Sequence, residues 1–342
     1  MSPSDQTILV TGANGFVASH VVRTLLAAGY NVRAAVRSTS STERMKEIHA
    51  PYVSQLSFII VPDMTAPGAF DEAVKRVSGI MHMASPFVLA PENNEVDLLQ
   101  PAIQITLGVL ASAAAAGSTV RHVVLTSSFA SILDMGQGYR PGYTYNEADW
   151  NPMTYAEAAV ADGPMAYCAS KKLAEEAAWN FVKEKKPAFE LSTICPPWIF
   201  GPTLGSLASL EHLNESTEAI YKLINAKSIP PIDFAGFADV RDVAAAHLRA
   251  YEKPEAAGKR FLVGNHFDYQ TAADAIRAKL PELKDRVPEG TPGAGLKGDV
   301  YQVDGSEAAK VLGVEYTKLE DTMKDTVEGL LEAEKRLGVE VH

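Results

Sequence analysis

The feature of this sequence that most constrains its fold is a series of short apolar runs separated by segments of helical pattern. Such runs occupy residues 8–10, 32–36, 56–61, 80–83, 123–126 and 191–195, and helical stretches lie between them, including residues 16–28, 101–116 and 165–185. Because these runs lack polar alternation, each strand is expected to be buried on both faces. Buried strands that alternate with helices predict an α/β protein built on a doubly wound parallel sheet.

The pattern changes after Pro196 and Pro197. Residues 201–235 are rich in Gly, Ser, Pro and Asn, residues 236–265 return to a turn, helix and strand pattern, and the tail from residue 271 is mostly helical. We therefore predict a larger sheet domain over residues 1–200, to which residues near 236–265 return. Residues 201–235 and 266–342 are predicted to form a smaller, mostly helical lobe, with a cleft between the two parts.

The net charge and the cysteine content of the chain exclude some classes of ligand and partner. The 31 basic and 42 acidic residues give a net charge of −11, so we predict no nucleic-acid binding and a local cationic site for any phosphate ligand. Cys168 and Cys195 form no CxxC pair and the histidines show no HExxH spacing, so no metal site is expected. No signal peptide or membrane span is expected either, which predicts a cytoplasmic protein.

A glycine-bearing turn joins the first apolar run to the first helical stretch. Its sequence, TGANGFVA at residues 11–18, lets the backbone turn tightly at Gly12 and Gly15 and lets a pyrophosphate approach the amides at the start of a helix. Ala18 permits close packing of that helix on the strand. The turn predicts a dinucleotide site in a Rossmann-type fold.

The second apolar run indicates which dinucleotide is bound. An NAD site places an acidic residue about 20 positions beyond the glycines, to hold the ribose 2′-hydroxyl. Between Gln6 and Thr42 there is no acidic residue, and Arg33 and Arg37 flank the end of the run instead. Because a guanidinium grips a phosphate bidentately, Arg37 predicts a 2′-phosphate and thus NADP(H) rather than NAD(H).

Two further strand ends carry residues that suit a cofactor. Asp63 and Met64 follow the third run, where the aspartate could hydrogen-bond the adenine amino group or simply cap a turn. Ala84 follows the fourth run and offers a small side chain where the backbone must pass close to a cofactor.

Three polar residues predict a proton-transfer site. Tyr167 and Lys171 are four residues apart and therefore share one face of a helix. A phenol is a weak acid at neutral pH, and a neighbouring ammonium favours its ionised form. Ser128 follows the fifth run, at the edge of the sheet that faces a ligand, where its hydroxyl can donate to a substrate carbonyl.

Together, these motifs resemble the extended short-chain dehydrogenases/reductases. Within them, the chain is similar to fungal NADPH-dependent methylglyoxal and 3-methylbutanal reductases and to plant dihydroflavonol reductases. The resemblance runs from residue 7 to beyond residue 260. It is carried by LTSSFAS at 125–131, AYCASKK at 166–172, AAW at 177–179, FGP at 200–202, HLN at 212–214 with Ser216, and DVRDVA at 239–244.

The resemblance implies an NADPH-dependent reductase of aldehydes and ketones, with NADP bound by the larger domain and substrate by the smaller lobe. Ser128 would polarise the carbonyl, Tyr167 would donate the proton, and Lys171 would bind the nicotinamide ribose and lower the tyrosine pKa. Arg37 would bind the 2′-phosphate, with a second basic contact left open to Arg44 or Lys46. The implied remaining cofactor contacts are Gly12, Ala13, Asn14, Gly15, Phe16, Val17, Asp63, Met64, Ile199 and Ser216.

Apolar residues beside the catalytic motifs predict a pocket for a small apolar aldehyde or ketone, although each of them suits a hydrophobic core equally well. These residues are Phe87, Phe129, Leu133, Met165 and Trp198. A nucleotide-sugar epimerase or dehydratase is a second hypothesis, but dehydratases carry Asp-Glu where Phe129 and Ala130 stand, and residues 204–232 hold only two lysines. A third is a non-catalytic NADP(H) sensor, although such proteins typically lose the tyrosine or the lysine. Either a monomer or a homodimer is expected.

Overall fold

The computed structural model describes residues 2–115, 117–296 and 298–339. The predicted helix end at Ala116 and the outer domain boundaries at Met1 and His342 lie outside this part of the chain. The strands are β1 (Thr7–Thr11), β2 (Asn31–Val36), β3 (Leu56–Ile60), β4 (Gly79–His82), β5 (His122–Thr126), β6 (Thr144–Tyr145), β7 (Glu190–Cys195), β8 (Trp198–Phe200), β9 (Gly236–Asp239), β10 (Arg260–Leu262), β11 (Asn265–His266) and β12 (Gln302–Val303).

Seven of these strands form one parallel sheet in the order β10-β7-β5-β4-β1-β2-β3. The chain leaves β1 in one direction through β2 and β3, and then returns to the other side of β1 through β4, β5 and β7. The order therefore reverses between β1 and β4, where such sheets form a ligand crevice at the carboxyl ends of the strands. The predicted doubly wound parallel sheet of Rossmann type is confirmed.

Helices cover both faces of this sheet. The helices are α1 (Phe16–Ala27), α2 (Ser40–Ile48), α3 (Gln100–Ala114), α4 (Tyr155–Val160), α5 (Gly163–Lys185), α6 (Glu215–Leu223), α7 (Val240–Glu252), α8 (Tyr269–Lys279) and α9 (Leu319–Leu337).

Successive residues of β1 show how the two layers are built. Ile8 and Val10 pack in a core with α1 and α7, while Leu9 between them packs on the opposite face with α3 and α5. All three side chains are fully buried. Since side chains alternate across a strand, a strand that is covered on both sides must be apolar at every position, as this one is.

The later part of the chain returns to the sheet and then forms a second core. β10 pairs with β7 at the edge of the large sheet, and α7 packs against α1. A separate apolar cluster joins α6, α8 and α9 to the small sheet β11-β9-β8. The helical C-terminal region is present, and the described residues between α8 and α9 include β12 and the short helical turns Pro281–Leu283 and Ala308–Leu312. The boundaries predicted for the two domains stay a prediction.

Two local features differ from the sequence pattern. Between β3 and β4 the chain forms a series of turns over residues 64–76 rather than a helix.

α3 continues a π-helical turn, Glu95–Leu99. Within the described residues, this combined helix is long and apolar enough to cross a membrane by length and composition alone. Half of its apolar window is buried, and α3 packs against α5. Core helices pass the same test, so it assigns no membrane span.

Candidate active site

The glycine turn lies at the switch point of the sheet. Gly12 adopts a φ of +63°, and a Cβ there would lie 3.1 Å from the backbone Cα of Ala84. Gly15 caps the first turn of α1, and a Cβ there would meet the Gly12 carbonyl oxygen at 3.3 Å. The turn and the end of β4 therefore approach each other closely enough that only glycine fits without displacement.

The side chains of the turn differ in how far they are exposed to solvent. Ala13 is buried in the core, Asn14 is exposed and donates to Ser41 Oγ at 3.4 Å, and Phe16 and Val17 are partly buried. Since the turn opens α1, its backbone N–H groups and the helix dipole form the positive end that suits a pyrophosphate.

The two arginines of β2 have different surroundings. Arg33 Nη1 donates to the carbonyl oxygens of Ala73 and Lys75, at 2.8 and 2.7 Å, so its charge is engaged within the protein. Arg37 is exposed just beyond β2, and none of the hydrogen bonds described for the chain involves its guanidinium. Arg37 is therefore the residue of this pair that can receive an anionic ligand.

Asp63 and Met64 lie beyond the end of β3, at the same edge of the sheet. The Asp63 carboxylate accepts from the backbone N–H and the hydroxyl of Thr65, at 2.8 and 2.6 Å, and these hydrogen bonds lower its pKa. Met64 is buried in the core between the sheet, α3 and α5. The aspartate thus caps a turn, and it stays exposed to solvent.

The three predicted catalytic residues are brought together. Ser128 follows β5 and accepts from the Ala130 backbone N–H at 3.1 Å, which starts the tight turn Phe129–Ser131. The Ser128 side chain lies close enough to Tyr167 of α5 to lower the pKa of its phenol. Lys171 lies one turn further along α5 and lines a small cavity with Ala84 and Ser127. The strand end and the helix face therefore converge at the carboxyl edge of the sheet.

Burial controls the protonation of this group. It raises the pKa of Tyr167 above its usual range, and the nearby Ser128 offsets only part of the rise. Burial likewise lowers the pKa of Lys171 to about 8, against the opposing charge of Glu175. Desolvation of the phenolate is the largest influence on the Tyr167 pKa here, and the expectation that Lys171 lowers that pKa stays a prediction.

Two buried histidines support the strand ends that carry the site. Thr11 Oγ1 accepts from the backbone N–H groups of Met83 and Ala84, both at 3.0 Å, so its proton points to His82 Nδ1 at 2.8 Å. Nδ1 of His247 donates to the Val243 carbonyl oxygen at 2.8 Å. Burial lowers the pKa values of both rings, to about 3 for His82 and about 4 for His247, so both are neutral at neutral pH. The neutral His247 ring then accepts at Nε2 from Thr126 Oγ1 at 2.7 Å.

Glu175 lies beside the site, although no motif in the sequence pointed to it. This glutamate lies one helical turn beyond Lys171, is fully buried, and pairs with Arg260 at 2.7 Å. A carboxylate on the same face as the predicted Tyr167 and Lys171 was the available signal, but glutamates in helices usually face solvent.

The predicted substrate residues fall into two groups. Phe129 and Leu133 are 0% and 3% exposed and pack in the core of the second lobe. Phe87 is 49% exposed, and its ring lies 4.8 Å from that of Tyr167. Met165 is partly exposed near the start of α5, and so is Trp198, whose Nε1 donates to Asp233 at 3.0 Å. Phe129 and Leu133 are thus core residues in this structure, and the pocket assignment of Phe87, Met165 and Trp198 stays a prediction.

The second lobe also approaches this edge. Ser216, in the first turn of α6, accepts from the backbone N–H of Ile199 at 3.4 Å. The two residues predicted as late cofactor contacts are therefore neighbours, although they are 17 positions apart in sequence.

Comparison with known proteins identifies the family. Residues 8–264 match the model of the NAD dependent epimerase/dehydratase family. The chain belongs to this family. Its extended short-chain dehydrogenase/reductase character, predicted from the motifs, is thereby confirmed.

Similar proteins within the epimerase/dehydratase family include reductases. The chain is 36% identical to an NADPH-dependent methylglyoxal reductase of Saccharomyces cerevisiae, over 97% of this chain and 100% of that protein. It is 38% identical to a ketoreductase of Aspergillus niger, over 95% of this chain and 97% of the relative. The crystal structure of yeast methylglyoxal/isovaleraldehyde reductase complexed with NADPH matches with a TM-score of 0.90, at 36% identity, and covers 97% of this chain and 100% of that one.

Proposed function

We propose that this protein is an NADPH-dependent carbonyl reductase that converts small aldehydes and ketones to alcohols. The observation that carries the proposal is the convergence of the half-buried Ser128 and Tyr167, beside Lys171, at the edge of the sheet where the glycine turn lies. Relatives that span almost the whole chain are reductases of this kind, which favours reduction over epimerisation.

The residues at the glycine turn fit NADPH. The close approach of Gly12 to Ala84 leaves backbone rather than side chains at the turn, and the N–H groups at the start of α1 suit a pyrophosphate. Arg37 offers an exposed guanidinium for the 2′-phosphate, and Asp63 an exposed carboxylate for the adenine amino group. Ile199 and Ser216 would complete the site from the second lobe.

When bound, NADPH supplies a hydride to the carbonyl carbon. Ser128 then orients the substrate by donating a hydrogen bond to its carbonyl oxygen, and Tyr167 donates a proton to the same oxygen as negative charge develops there. Lys171, from the same helix face, would hold the cofactor ribose and supply positive charge near the phenol. Because burial raises the tyrosine pKa, Tyr167 stays protonated at neutral pH, as a proton donor must.

Steady-state absorbance of NADPH tests this function. We expect NADPH to be consumed only when an aldehyde or ketone is present, with an alcohol formed in equal amount. Binding of NADPH without turnover on any carbonyl of a broad panel would instead indicate a non-catalytic sensor.

We further propose that the protein acts in the cytoplasm as a monomer or homodimer.

Arg37→Ala is expected to weaken NADPH binding by roughly ten- to a hundred-fold, because a charge-assisted bidentate contact is worth about 1.5–3 kcal/mol. NADH affinity should change little, since NADH lacks the 2′-phosphate. Fluorescence titration with both cofactors measures the ratio. Arg33→Ala is the control, since its guanidinium is bound to carbonyl oxygens within the protein, and it should leave the ratio unchanged. An unchanged ratio in Arg37→Ala would rule out the assignment.

The substrate pocket is expected to accept bulky apolar ketones and aldehydes and to reject nucleotide sugars. Phe87 places an exposed aromatic ring against Tyr167, Met165 precedes Tyr167 by two residues on α5, and both Met165 and Trp198 are partly exposed. A nucleotide diphosphate would require cations in the second lobe, where residues 204–232 offer only Lys222 and Lys227. Competition titrations measure this directly. Micromolar affinity for UDP-sugars, together with inert aryl ketones, would contradict the prediction.

A further inference from the structure

The carboxylate of Glu175 is surrounded by hydrogen-bond donors from four parts of the fold. Its Oε1 accepts from Arg260 Nε and Thr193 Oγ1, both at 2.7 Å, and from Trp179 Nε1 at 3.2 Å. Its Oε2 accepts from Ser127 Oγ and Ser131 Oγ, both at 2.6 Å, and from Arg260 Nη2 at 3.2 Å. Every lone pair is engaged, so the position of this carboxylate is fixed.

Arg260 closes this arrangement from the edge strand β10. Its guanidinium also donates to the carbonyl oxygens of Glu147 and Asp149, both at 2.7 Å, and lies 3.6 Å from the centre of the Trp150 ring. The pair is shielded from solvent, with 9% of the Arg260 side chain and none of the Glu175 side chain exposed. Replacing such a buried pair by apolar residues often costs little stability, so stability alone is a weak reason for it.

The arrangement contacts the predicted active site at two points. Ser127 and Ser131, which both donate to Glu175, flank Ser128 on either side of the turn that follows β5. Glu175 also lines the same small cavity as Lys171, one helical turn away on α5.

We propose that Glu175 is a positioning residue of the reductase site, which keeps Lys171 cationic and holds the turn that carries Ser128. This inference rests on the proposed function. It predicts that the Lys171 pKa and the pH dependence of kcat depend on the charge of residue 175 and not only on its packing.

The charges around Lys171 support this role. Burial lowers the pKa of Lys171 to about 8, and the Glu175 carboxylate opposes that change. His82 on β4 is neutral, and burial raises the pKa of the Cys195 thiol on β7 to about 12. Tyr167 on α5 stays protonated, and Arg260 on β10 is a cation. Burial alone would raise the pKa of Glu175, but Arg260 and the hydroxyl groups hold it at about 2, so the carboxylate remains charged.

The test compares Glu175→Gln with a matched control, Glu334→Gln. Glu334 lies on α9, is also buried, and pairs with Arg286 at 2.7 Å, so the control likewise removes the charge of a buried, paired carboxylate. The titration of Lys171 is followed without cofactor by NMR of protein labelled with ¹³C at the lysine Cε, with Lys171→Arg to assign the signal. Glu175→Gln should lower the Lys171 pKa by about one unit, and the alkaline limit of kcat should move down equally. Glu334→Gln should change neither.

A folded Glu175→Gln with an unchanged Lys171 pKa, or with a uniformly lower kcat at every pH, would overturn the inference. If this variant does not fold, Arg260→Gln carries the test, with Arg286→Gln as its control. Without the Arg260 guanidinium, Lys171 is the cation left to pair with Glu175, so the Lys171 pKa should rise. An unchanged Lys171 pKa would count against the inference. The NMR titration needs no turnover. It therefore tests the role of Glu175 separately from the proposed function, which fails if the wild-type protein reduces no carbonyl.

Discussion

Replacing Tyr167 by Phe is expected to reduce turnover of a simple ketone by roughly 10²–10⁴-fold, the loss typical of a missing general acid. The ring and its contact with Phe87 remain, so packing and the glycine turn are preserved, and only the hydroxyl near Ser128 is lost. NADPH affinity should therefore stay close to that of the wild type. The measurement is steady-state reduction of the ketone beside fluorescence titration with NADPH.

The neighbouring residues should give different patterns in the same two assays. Lys171→Ala should impair both turnover and NADPH affinity, because the lysine is proposed to hold the cofactor ribose as well. Ser128→Ala should lower turnover with a smaller effect on affinity, because one hydrogen bond to the developing oxyanion is removed. Tyr316→Phe is a control that removes a hydroxyl bonded to the Gly305 carbonyl oxygen, and it should leave turnover unchanged. Near wild-type turnover in Tyr167→Phe would refute the mechanism.

Acid is expected to unfold this protein steeply, because His82 and His247 are buried as neutral rings. Their pKa values, about 3 and about 4 in the folded protein, lie below the ordinary value of 6.5. The unfolded chain therefore binds protons that the folded chain does not as the pH falls. The stability from these rings is complete above about pH 6.5 and is lost between about pH 6.5 and 4. Each histidine should lower the free energy of unfolding by about 1.4 kcal/mol per pH unit in that window.

Urea unfolding at a series of pH values measures this slope. His247→Gln should reduce it by about 1.4 kcal/mol per pH unit, whatever its own effect on stability at neutral pH. Replacement of the exposed His212 by Asn is the control and should leave the slope unchanged. Equal slopes in wild type and His247→Gln would show that His247 titrates normally in the folded state.

The sequence by itself determined the sheet. Apolar runs without polar alternation require burial on both faces, and the two faces of β1 are indeed covered by different helices. The sequence also placed the glycine turn, because a φ of +63° at Gly12 is a local requirement that the residue type reveals. The meeting of Ser128 with Tyr167 followed from two local rules, that parallel strands end at one edge and that residues four apart share a helix face. Their catalytic roles stay predictions.

Only the tertiary structure decided which side chains are buried beside that edge and in what charge state. Apart from Trp179 on α5 itself, the partners of Glu175 come from the turn after β5, from β7 and from β10, up to 85 positions away, so the local sequence around α5 gives no sign of them. The same holds for the direction of the Tyr167 pKa, since desolvation depends on everything that packs around the phenol. Phe129 next to Ser128 suits a pocket or a core equally well in sequence, and the packing of the second lobe places it in the core. Local pattern determines backbone geometry, whereas burial and charge are properties of the assembled fold.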